Sequence, residues 1–340
     1  MPANLSPEYK SAQEAYRRAR EPSDKLECLR EMLRTIPKHK GTEHLQADIK
    51  TRIKALTEEL SGPKKGAQRT GPALVVRREG AGQVALLGPP NSGKSCLHAR
   101  LTGSHATVGA YPFATHVPLP GMLAYEDIQF QLLDLPSVSS EVMEPWLPNA
   151  LQTADAALLV VDLGDPACLE HVDALITNLE AKKISLVAPE QETKPAATGD
   201  ELIDPFHLRL PTLLMVNKAD QIGPDPTAEL DTFRQLSGVR FPALIVSAET
   251  GQGLDPLGPL LFRALQVVRV YTKVPGHAAA AERPFTLRGR STVKDVALLI
   301  HRGRAEALKF ARLWGSGSFD GQQVSGDHAV QDKDIVELHW

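Results

Sequence analysis

The sequence predicts an α/β fold, in which a mostly parallel sheet carries helices on both faces. An α-helical hairpin region precedes this sheet, and a small α+β domain follows it. Three observations indicate this order. Short apolar runs alternate with helical stretches from residue 81 onward, as an open sheet with crossover helices requires. Residues 6–60 instead repeat apolar side chains at helical spacing, and the carboxyl-terminal part combines one amphipathic helix with strand-like runs.

Changes in this pattern set the predicted domain boundaries. The helical amino-terminal region takes residues 1–60, and a linker takes 61–80, where Gly, Pro, Lys and Arg occur without periodicity. The main α/β domain takes 81–275, and the final domain takes 284–340. Within the main domain, residues 188–211 are rich in Pro and polar side chains, so we expect a flexible surface loop there.

Five buried strands are predicted in the main domain. Strands of a parallel sheet that is covered on both faces are near-continuous apolar runs, and AALLVV and TLLMV have this form. The five are Val84–Leu87, Ile128–Leu133, Ala156–Val161, Leu213–Val216 and Ala243–Val246. In the final domain, strands are predicted at 310–314 and 335–338, and a helix begins at the capping box of Thr292 and Asp295.

Composition excludes several classes of protein. The chain has 340 residues, 42% apolar side chains and a formal net charge of −3, so it is an ordinary globular chain rather than a general polycation. Cys28, Cys96 and Cys168 are odd in number and far apart, which excludes a disulfide framework and fits a reducing compartment. We find no apolar run of membrane-spanning length and no signal peptide, and therefore expect a soluble cytoplasmic protein without a membrane partner.

The amino-terminal helices carry the basic side of an uneven charge distribution. Ser and Pro at 6–7, Pro and Ser at 22–23, and Thr42 have the form of helix starts. The last helix carries on its polar side Lys50, Arg52 and Lys54. This region is either an arm that packs against its neighbours or a basic handle for RNA. We favour the packing arm, because charge on a helix is usually only a solvated face.

Residues 88–95, GPPNSGKS, match the phosphate-binding pattern G-x-x-x-x-G-K-[ST] without a mismatch and follow a predicted strand. The backbone N–H groups of such a loop bind the α- and β-phosphates of a nucleotide. Lys94 would reach the β- and γ-phosphates, and the Ser95 hydroxyl would bind Mg²⁺. The next helix begins here, so its positive dipole end also faces the phosphates.

Two further residues fit a magnesium nucleotide. Asp134 ends the strand IQFQLLD, and a carboxylate there can hold Mg²⁺ through water. Thr115 lies in a loop before that strand and would add its hydroxyl to Mg²⁺ only when a γ-phosphate is present, which is a local basis for switching.

Residues that select guanine follow two later strands. The Asp220 carboxylate in NKAD can accept two hydrogen bonds from guanine, which adenine cannot supply. The Lys218 stem would lie against the base, and Asn217 would tie neighbouring loops together. Ser247 and Ala248 follow the next strand, where the Ala248 N–H could reach guanine O6. The predicted GTP-binding residues are Gly88, Pro89, Pro90, Asn91, Ser92, Gly93, Lys94, Ser95, Cys96, Asp134, Ser137, Asn217, Lys218, Asp220, Ser247 and Ala248.

In this order, the motifs resemble the translation-factor-related GTPases, and within them the Obg/DRG group. YPFAT with VPLPGML resembles that group's first switch segment, although Ala114 stands where a threonine is usual. PKHKGTEHLQADIK resembles the helical region of DRG-like proteins. Residues 284–340 look like a TGS domain, a small β-grasp module, which implies contact with RNA, tRNA or the ribosome; simple domain packing is the alternative. The resemblance implies a P-loop GTPase domain, Mg²⁺ as cofactor and GTP and GDP as ligands.

Two departures from the family pattern bear on turnover. Ser137 replaces the glycine that usually meets the γ-phosphate, and Val138 stands where Ras-like proteins place a glutamine that orients the attacking water. In GTPases with a similar loop, the asparagine corresponding to Asn91 helps hold K⁺; here Asn91 either does so or only caps the loop. Lys94, Thr115 and Asn91 are therefore the predicted catalytic residues of a slow GTPase switch. The alternatives are a GTP-binding adaptor with negligible turnover and an ATPase.

Overall fold

The computed structural model describes residues 6–19, 22–37, 42–60, 76–104, 117–138, 143–192, 206–274, 277, 279–317 and 319–340. These residues form two compact units. The first holds the described residues up to 60 together with 206–208, and the second holds those from 76 to 192 and from 209 onward.

The first unit contains three helices, α1 (Pro7–Arg18), α2 (Pro22–Thr35) and α3 (Glu43–Leu60). The predicted start of α1 is confirmed, because the Ser6 hydroxyl accepts a hydrogen bond from the Tyr9 N–H at 3.1 Å. Their shared core contains Tyr9, Ala12, Leu29, Met32, Ile36, Ile49 and Phe206. The predicted hairpin is thus a three-helix unit, and it recruits an aromatic side chain from far along the chain. Arg52 lies over the Phe206 ring at 4.0 Å, so it contributes to packing rather than only to a basic face.

The second unit begins with an α/β sheet of seven strands in the order β2-β3-β1-β4-β6-β5, with β7 also beside β6. The elements in chain order are β1 (Gln83–Leu87), α4 (Lys94–Thr102), β2 (Leu119–Tyr125), β3 (Ile128–Asp134), α5 (Leu147–Leu151), β4 (Ala156–Asp162), α6 (Cys168–Glu180), β5 (Ile184–Val187), α7 (Pro189–Glu192), β6 (Leu208–Asn217), α8 (Pro226–Ser237), β7 (Ala243–Ile245) and α9 (Leu257–Ala264).

The direction of the strands places several predicted site residues at one edge of this sheet. Strands β3, β1, β4, β6 and β7 run parallel, so their carboxyl ends lie together. Leu86 pairs with Asp134, one strand from the start of the phosphate-binding loop, and Asp162 pairs with Asn217. All five predicted strands are present. Their side chains are almost fully buried in β1 and β4, as expected for strands covered on both faces.

Three predictions about this domain need correction. Strand β2 was not predicted; it pairs antiparallel with β3, and its apolar side chains are only half-buried, which weakens their signal. In the predicted surface loop 188–211, residues 189–192 form α7, Phe206 is buried and residues 208–211 belong to β6, while 193–205 lie outside the described residues. Of the predicted linker 61–80, residues 61–75 also lie outside the described residues. Residues 76–80 already contact the sheet, since the carbonyl of Val76 accepts a hydrogen bond from Gln83 at 3.3 Å.

The second sheet has the order β11-β10-β12-β8-β9, with β12 and β8 parallel and the other neighbours antiparallel. Its elements are β8 (Val267–Lys273), β9 (Ala279–Arg288), α10 (Val293–Ile300), a 3-10 helix (Arg302–Ala307), β10 (Phe310–Trp314), β11 (Gln322–Val324) and β12 (Asp334–His339). The predicted capping box of α10 is confirmed, since the Thr292 N–H donates to Asp295 at 2.7 Å. The predicted end of the main domain at residue 275 is wrong. Strand β8 lies before that residue but pairs with β9 and β12, so it belongs to the final domain.

Arg269 of β8 joins the two sheets. Its guanidinium binds Asp332 of the final domain at 3.0 and 2.7 Å, and on the opposite side it binds Glu126 and Asp127 in the turn between β2 and β3. Tyr271 donates a further hydrogen bond to Asp127. Within the described ranges, every helix is too short or too polar to cross a lipid bilayer.

Candidate nucleotide-binding site

The phosphate-binding loop adopts a conformation that only glycine tolerates at two positions. Gly88 has a φ of 155°, and a Cβ there would lie 2.2 Å from the carbonyl oxygen of Val160. Gly93 caps α4 with a φ of 86°, and a Cβ there would lie 2.3 Å from the Asn217 amide nitrogen. The backbone therefore passes close to β4 and β6, which places the start of α4 at the edge where the parallel strands end.

Lys94 lies folded inside this loop. Its ammonium group donates to the carbonyl oxygens of Gly88 at 3.1 Å and Pro89 at 2.9 Å, and to the Ser137 hydroxyl at 2.8 Å. Burial lowers the pKa of Lys94 to about 8, although the nearby Asp134 carboxylate opposes this shift. The side chain thus remains predominantly charged at neutral pH, in the loop where phosphates would bind.

The segment after β3 closes against the same loop. Asp134 is buried at the end of the strand. The Val138 N–H donates to the Gly88 carbonyl at 3.4 Å, and the Val138 side chain is fully buried. Ser137 does not need a positive φ in this conformation, so serine is accommodated where the family pattern has glycine. The apolar side chain of Val138 offers no group that could hold a water molecule.

Asn217 joins the phosphate loop to the loop after β7. Its amide nitrogen donates to the Ser92 carbonyl at 2.9 Å, and its amide oxygen accepts from the Ala248 N–H at 3.0 Å. The tie between neighbouring loops is the arrangement expected for Asn217. The Ala248 N–H is already engaged here, however, so reaching guanine O6 would require it to share or leave this acceptor.

Asp220 and Ser247 form a second link at the same end of the site. The Ser247 hydroxyl donates to the Asp220 carboxylate, and this hydrogen bond lowers the pKa of Asp220. Asp220 is exposed, whereas Ser247 is fully buried. Ser247 therefore orients the carboxylate, and it was included among the predicted residues without this role.

Asp162 is a site residue that the sequence analysis missed. Lys218 has a left-handed backbone with a φ of 60°, and its ammonium lies 2.7 Å from the Asp162 carboxylate. Asp162 ends β4, directly beside Asn217 in the register. The available signal was an acidic residue that ends the apolar run AALLVV, at the carboxyl end of a strand predicted to be parallel.

Thr115 and Cys96 are two further residues predicted at this site. Thr115 lies outside the described residues, so its place at a metal remains a prediction. Cys96 follows Ser95 in the first turn of α4; it is half-buried, and burial raises the pKa of its thiol. The described residues thus bring together the phosphate loop, Asp134, Ser137 and the two loops that carry Asn217 and Ala248.

Comparison with known proteins agrees with this geometry. Residues 83–190 match the family described as 50S ribosome-binding GTPase, and residues 268–339 match the TGS domain. Developmentally-regulated G-protein 1 of Arabidopsis thaliana is 27% identical over 360 residues, which cover 91% of this chain and 88% of that protein. Guanylate binding protein 128up of Drosophila melanogaster is 26% identical over 366 residues, which cover 93% of this chain and 98% of that protein. The structure of the YchF GTPase of Schizosaccharomyces pombe shares the fold, with a TM-score of 0.53 and 12% identity over 77% of this chain and 99% of that one.

The chain therefore contains a P-loop GTPase domain and, at residues 268–339, a TGS domain. Its relatives include developmentally regulated G-proteins, and the resemblance to the Obg/DRG group is confirmed. The TGS match begins at 268, which agrees with the place of β8 in the second sheet.

Proposed function

We propose that this protein is a slow GTPase whose nucleotide state controls its binding to the ribosome or to another structured RNA. The observation that carries the proposal is the linked cleft: Lys94 marks its phosphate end, Asp220 marks its guanine end, and Asn217 hydrogen-bonds to loops from both ends. A GTP molecule would bind both ends at once, and exchange for GDP would remove contacts only at the phosphate end.

The residues near the phosphate loop fit Mg²⁺. Ser95 offers a hydroxyl at the start of α4, and Asp134 offers a buried carboxylate one strand away, which are the oxygen ligands that this ion prefers. In the GTP state Thr115 would add a second hydroxyl. When bound, Mg²⁺ supplies positive charge to the phosphate oxygens. Lys94 would orient the phosphates, and Asn91 is the residue proposed to hold K⁺.

Slow turnover follows from the residue that replaces the usual glutamine. Val138 is fully buried, and its side chain carries no polar atom that could orient the attacking water as the usual glutamine does. This observation also supports the second candidate function, a GTP-binding adaptor with negligible turnover. Single-turnover phosphate release in K⁺ and in Na⁺ distinguishes the two, because an adaptor would hydrolyse GTP no faster than GTP decays in buffer.

An RNA partner is supported by the face of the TGS sheet opposite its core. Phe310, Arg312 and Trp314 alternate with the buried Ala311 and Leu313 along β10 and therefore share the face opposite the core. The Phe310 ring stacks on His339 of the next strand at 4.4 Å, and the Lys273 ammonium lies 4.4 Å from the Trp314 ring. Aromatic rings beside cations favour unpaired bases and their phosphates.

Some basic residues of the TGS domain lie away from this face of the sheet. Arg288 binds the Leu265 carbonyl at 2.8 Å and Asp155 at 3.1 Å, so it belongs to the junction with the main domain rather than to a basic patch. The exposed basic residues of the domain include Arg290, Arg304, Lys309 and Arg312.

We propose that the protein acts in the cytoplasm, where ribosomes and GTP are both present.

Ribosome co-sedimentation tests the switch. The full chain is spun with ribosomes in the presence of a non-hydrolysable GTP analogue, GDP or no nucleotide, at two salt concentrations. We expect more protein in the pellet with the GTP analogue than with GDP. Equal binding in all three conditions would contradict nucleotide control, and no binding in any of them would contradict the ribosome as partner.

Asp220→Asn tests guanine selection against the ATPase alternative. The carboxamide cannot accept both guanine hydrogen bonds, so GTP affinity should fall by about 10- to 150-fold in titration calorimetry, since one bond to a charged group contributes about 1.5–3 kcal/mol. Asp225→Asn, an exposed helix-capping position on α8, is the matched control. An ATPase would instead bind ATP well and show no change in nucleotide preference with Asp220→Asn.

A further inference from the structure

The Ser137 side chain makes a contact that a glycine could not make. A lysine ammonium has three N–H donors, and those of Lys94 are matched by three acceptors: the carbonyls of Gly88 and Pro89 and the hydroxyl of Ser137. The shortest of the three contacts, at 2.8 Å, is the one to Ser137. In the family pattern this position is glycine, which has no side chain and could not supply this third acceptor.

The position of this hydroxyl relates it to the end of the nucleotide. Lys94 is the residue proposed to bind the β- and γ-phosphates, and the Ser137 oxygen lies within hydrogen-bond distance of its nitrogen. The neighbouring Val138 N–H holds the segment against the phosphate loop through Gly88. An oxygen that accepts from Lys94 still carries its own proton, which remains available for donation to an anion on the same side.

We propose that the Ser137 hydroxyl distinguishes a triphosphate from a diphosphate. Without a γ-phosphate, the hydroxyl accepts a hydrogen bond from Lys94. With a γ-phosphate, Lys94 binds the phosphate oxygens, and the Ser137 O–H donates to a γ-phosphate oxygen. The side chain thus supplies a contact to the γ-phosphate in addition to the backbone N–H at this position. The proposal rests on the proposed GTP function, of which it describes one specificity-determining residue.

The test compares nucleotide affinities of the full-length protein and its variants. Dissociation constants for a non-hydrolysable GTP analogue and for GDP, both with Mg²⁺, are measured by titration calorimetry. We expect Ser137→Ala to weaken binding of the GTP analogue by about 10- to 150-fold, the loss of one hydrogen bond to a charged group, and to change GDP binding by less than about twofold. Ser137→Thr keeps the hydroxyl and should restore most of the preference, whereas Ser137→Gly should behave like Ser137→Ala.

Ser325→Ala, an exposed serine of the TGS domain, is the matched control and should leave both affinities unchanged. An unchanged ratio of GTP-analogue to GDP affinity in Ser137→Ala would overturn the proposal, and so would an equal loss for both nucleotides. If wild-type protein binds neither nucleotide, the proposed GTP function itself fails. If wild type binds both and the variants keep the ratio, only the role of Ser137 fails.

Discussion

Replacing Arg269 tests the junction between the GTPase domain and the TGS domain. Arg269 is 4% exposed, and its guanidinium makes a bidentate contact with Asp332 and reaches Glu126 and Asp127 on the other side. Its positive charge also lies 4.9 Å from the Phe262 ring. Arg269→Met keeps the packing of the side-chain stem and removes the charge, so the loss is predominantly electrostatic.

The size of the effect follows from burial on each side of the contact. Breaking a fully buried ion pair costs about 3–5 kcal/mol, because one charge is left without a partner. The Asp332 side chain is 32% exposed, so water partly replaces the guanidinium there and lowers the cost. We expect Arg269→Met to reduce the free energy of unfolding of this unit by about 2–3 kcal/mol. That corresponds to a fall of about 4–12 °C in melting temperature for a unit of this size.

Low pH should reduce the difference in free energy of unfolding between the wild-type protein and Arg269→Met. Burial raises the pKa of Asp332 and Asp127, but hydrogen bonds from Arg269, and from Tyr271 to Asp127, outweigh it and hold both pKa values below the ordinary 3.8. Carboxyls whose folded pKa is depressed stabilise the protein above their unfolded pKa and lose that contribution as pH falls through the folded value. The difference should therefore be complete at pH 7 and shrink below about pH 4.

Thermal unfolding followed by circular dichroism measures these differences. Arg312→Met, at an exposed arginine in the same sheet, is the control and should melt within about 1 °C of wild type, as substitutions at exposed surface positions usually do. A variant Arg269→Met that melts like wild type at pH 7 would refute the reasoning. A difference that is the same at pH 3 as at pH 7 would refute its electrostatic part.

Two further predictions concern Asp162 and Ser6. Asp162→Asn should weaken GTP and GDP binding alike, by about 3- to 10-fold in calorimetry, because Lys218 loses the carboxylate at 2.7 Å that fixes its side chain. The neighbouring Asp165→Asn is the control. Equal affinities in wild type and Asp162→Asn would contradict the proposed role of Asp162 in positioning Lys218. Ser6→Ala removes the cap of α1 and the hydrogen bond to Thr35 and should destabilise the helical unit by about 1 kcal/mol in urea unfolding, while Ser6→Thr should retain most of it.

Local patterns gave reliable predictions where the signal lies within a few consecutive residues. The phosphate-loop motif, the capped start of α1 and the capping box of Thr292 and Asp295 depend on short spacings, and the structure has each of them. The buried strands β1 and β4 were equally clear, because a strand covered on both faces must be apolar throughout. Strand β2 lacked that signal, since only part of its surface is buried.

Long-range pairing accounts for the errors. VVRVYTK has the pattern of a strand in either sheet, and only its pairing with β12, far downstream, assigns it to the TGS domain. Phe206 resembles a loop residue in its polar surroundings, yet it completes the core of the helical unit. The spacing of residues along the chain does not state which distant side chain fills a gap between helices, because that depends on the shape that the folded elements leave.

The sequence by itself determined the P-loop GTPase domain and the TGS domain, and it predicted the residues that would bind phosphate and guanine. These depend on residue types at fixed short spacings. Only the tertiary structure decided that Asp162 holds Lys218, that Ser137 accepts from Lys94 and that Arg269 joins two domains. Each of these contacts pairs groups from different strands or domains. Their energies depend on distance and burial, which exist only once the parallel strands bring their carboxyl ends together.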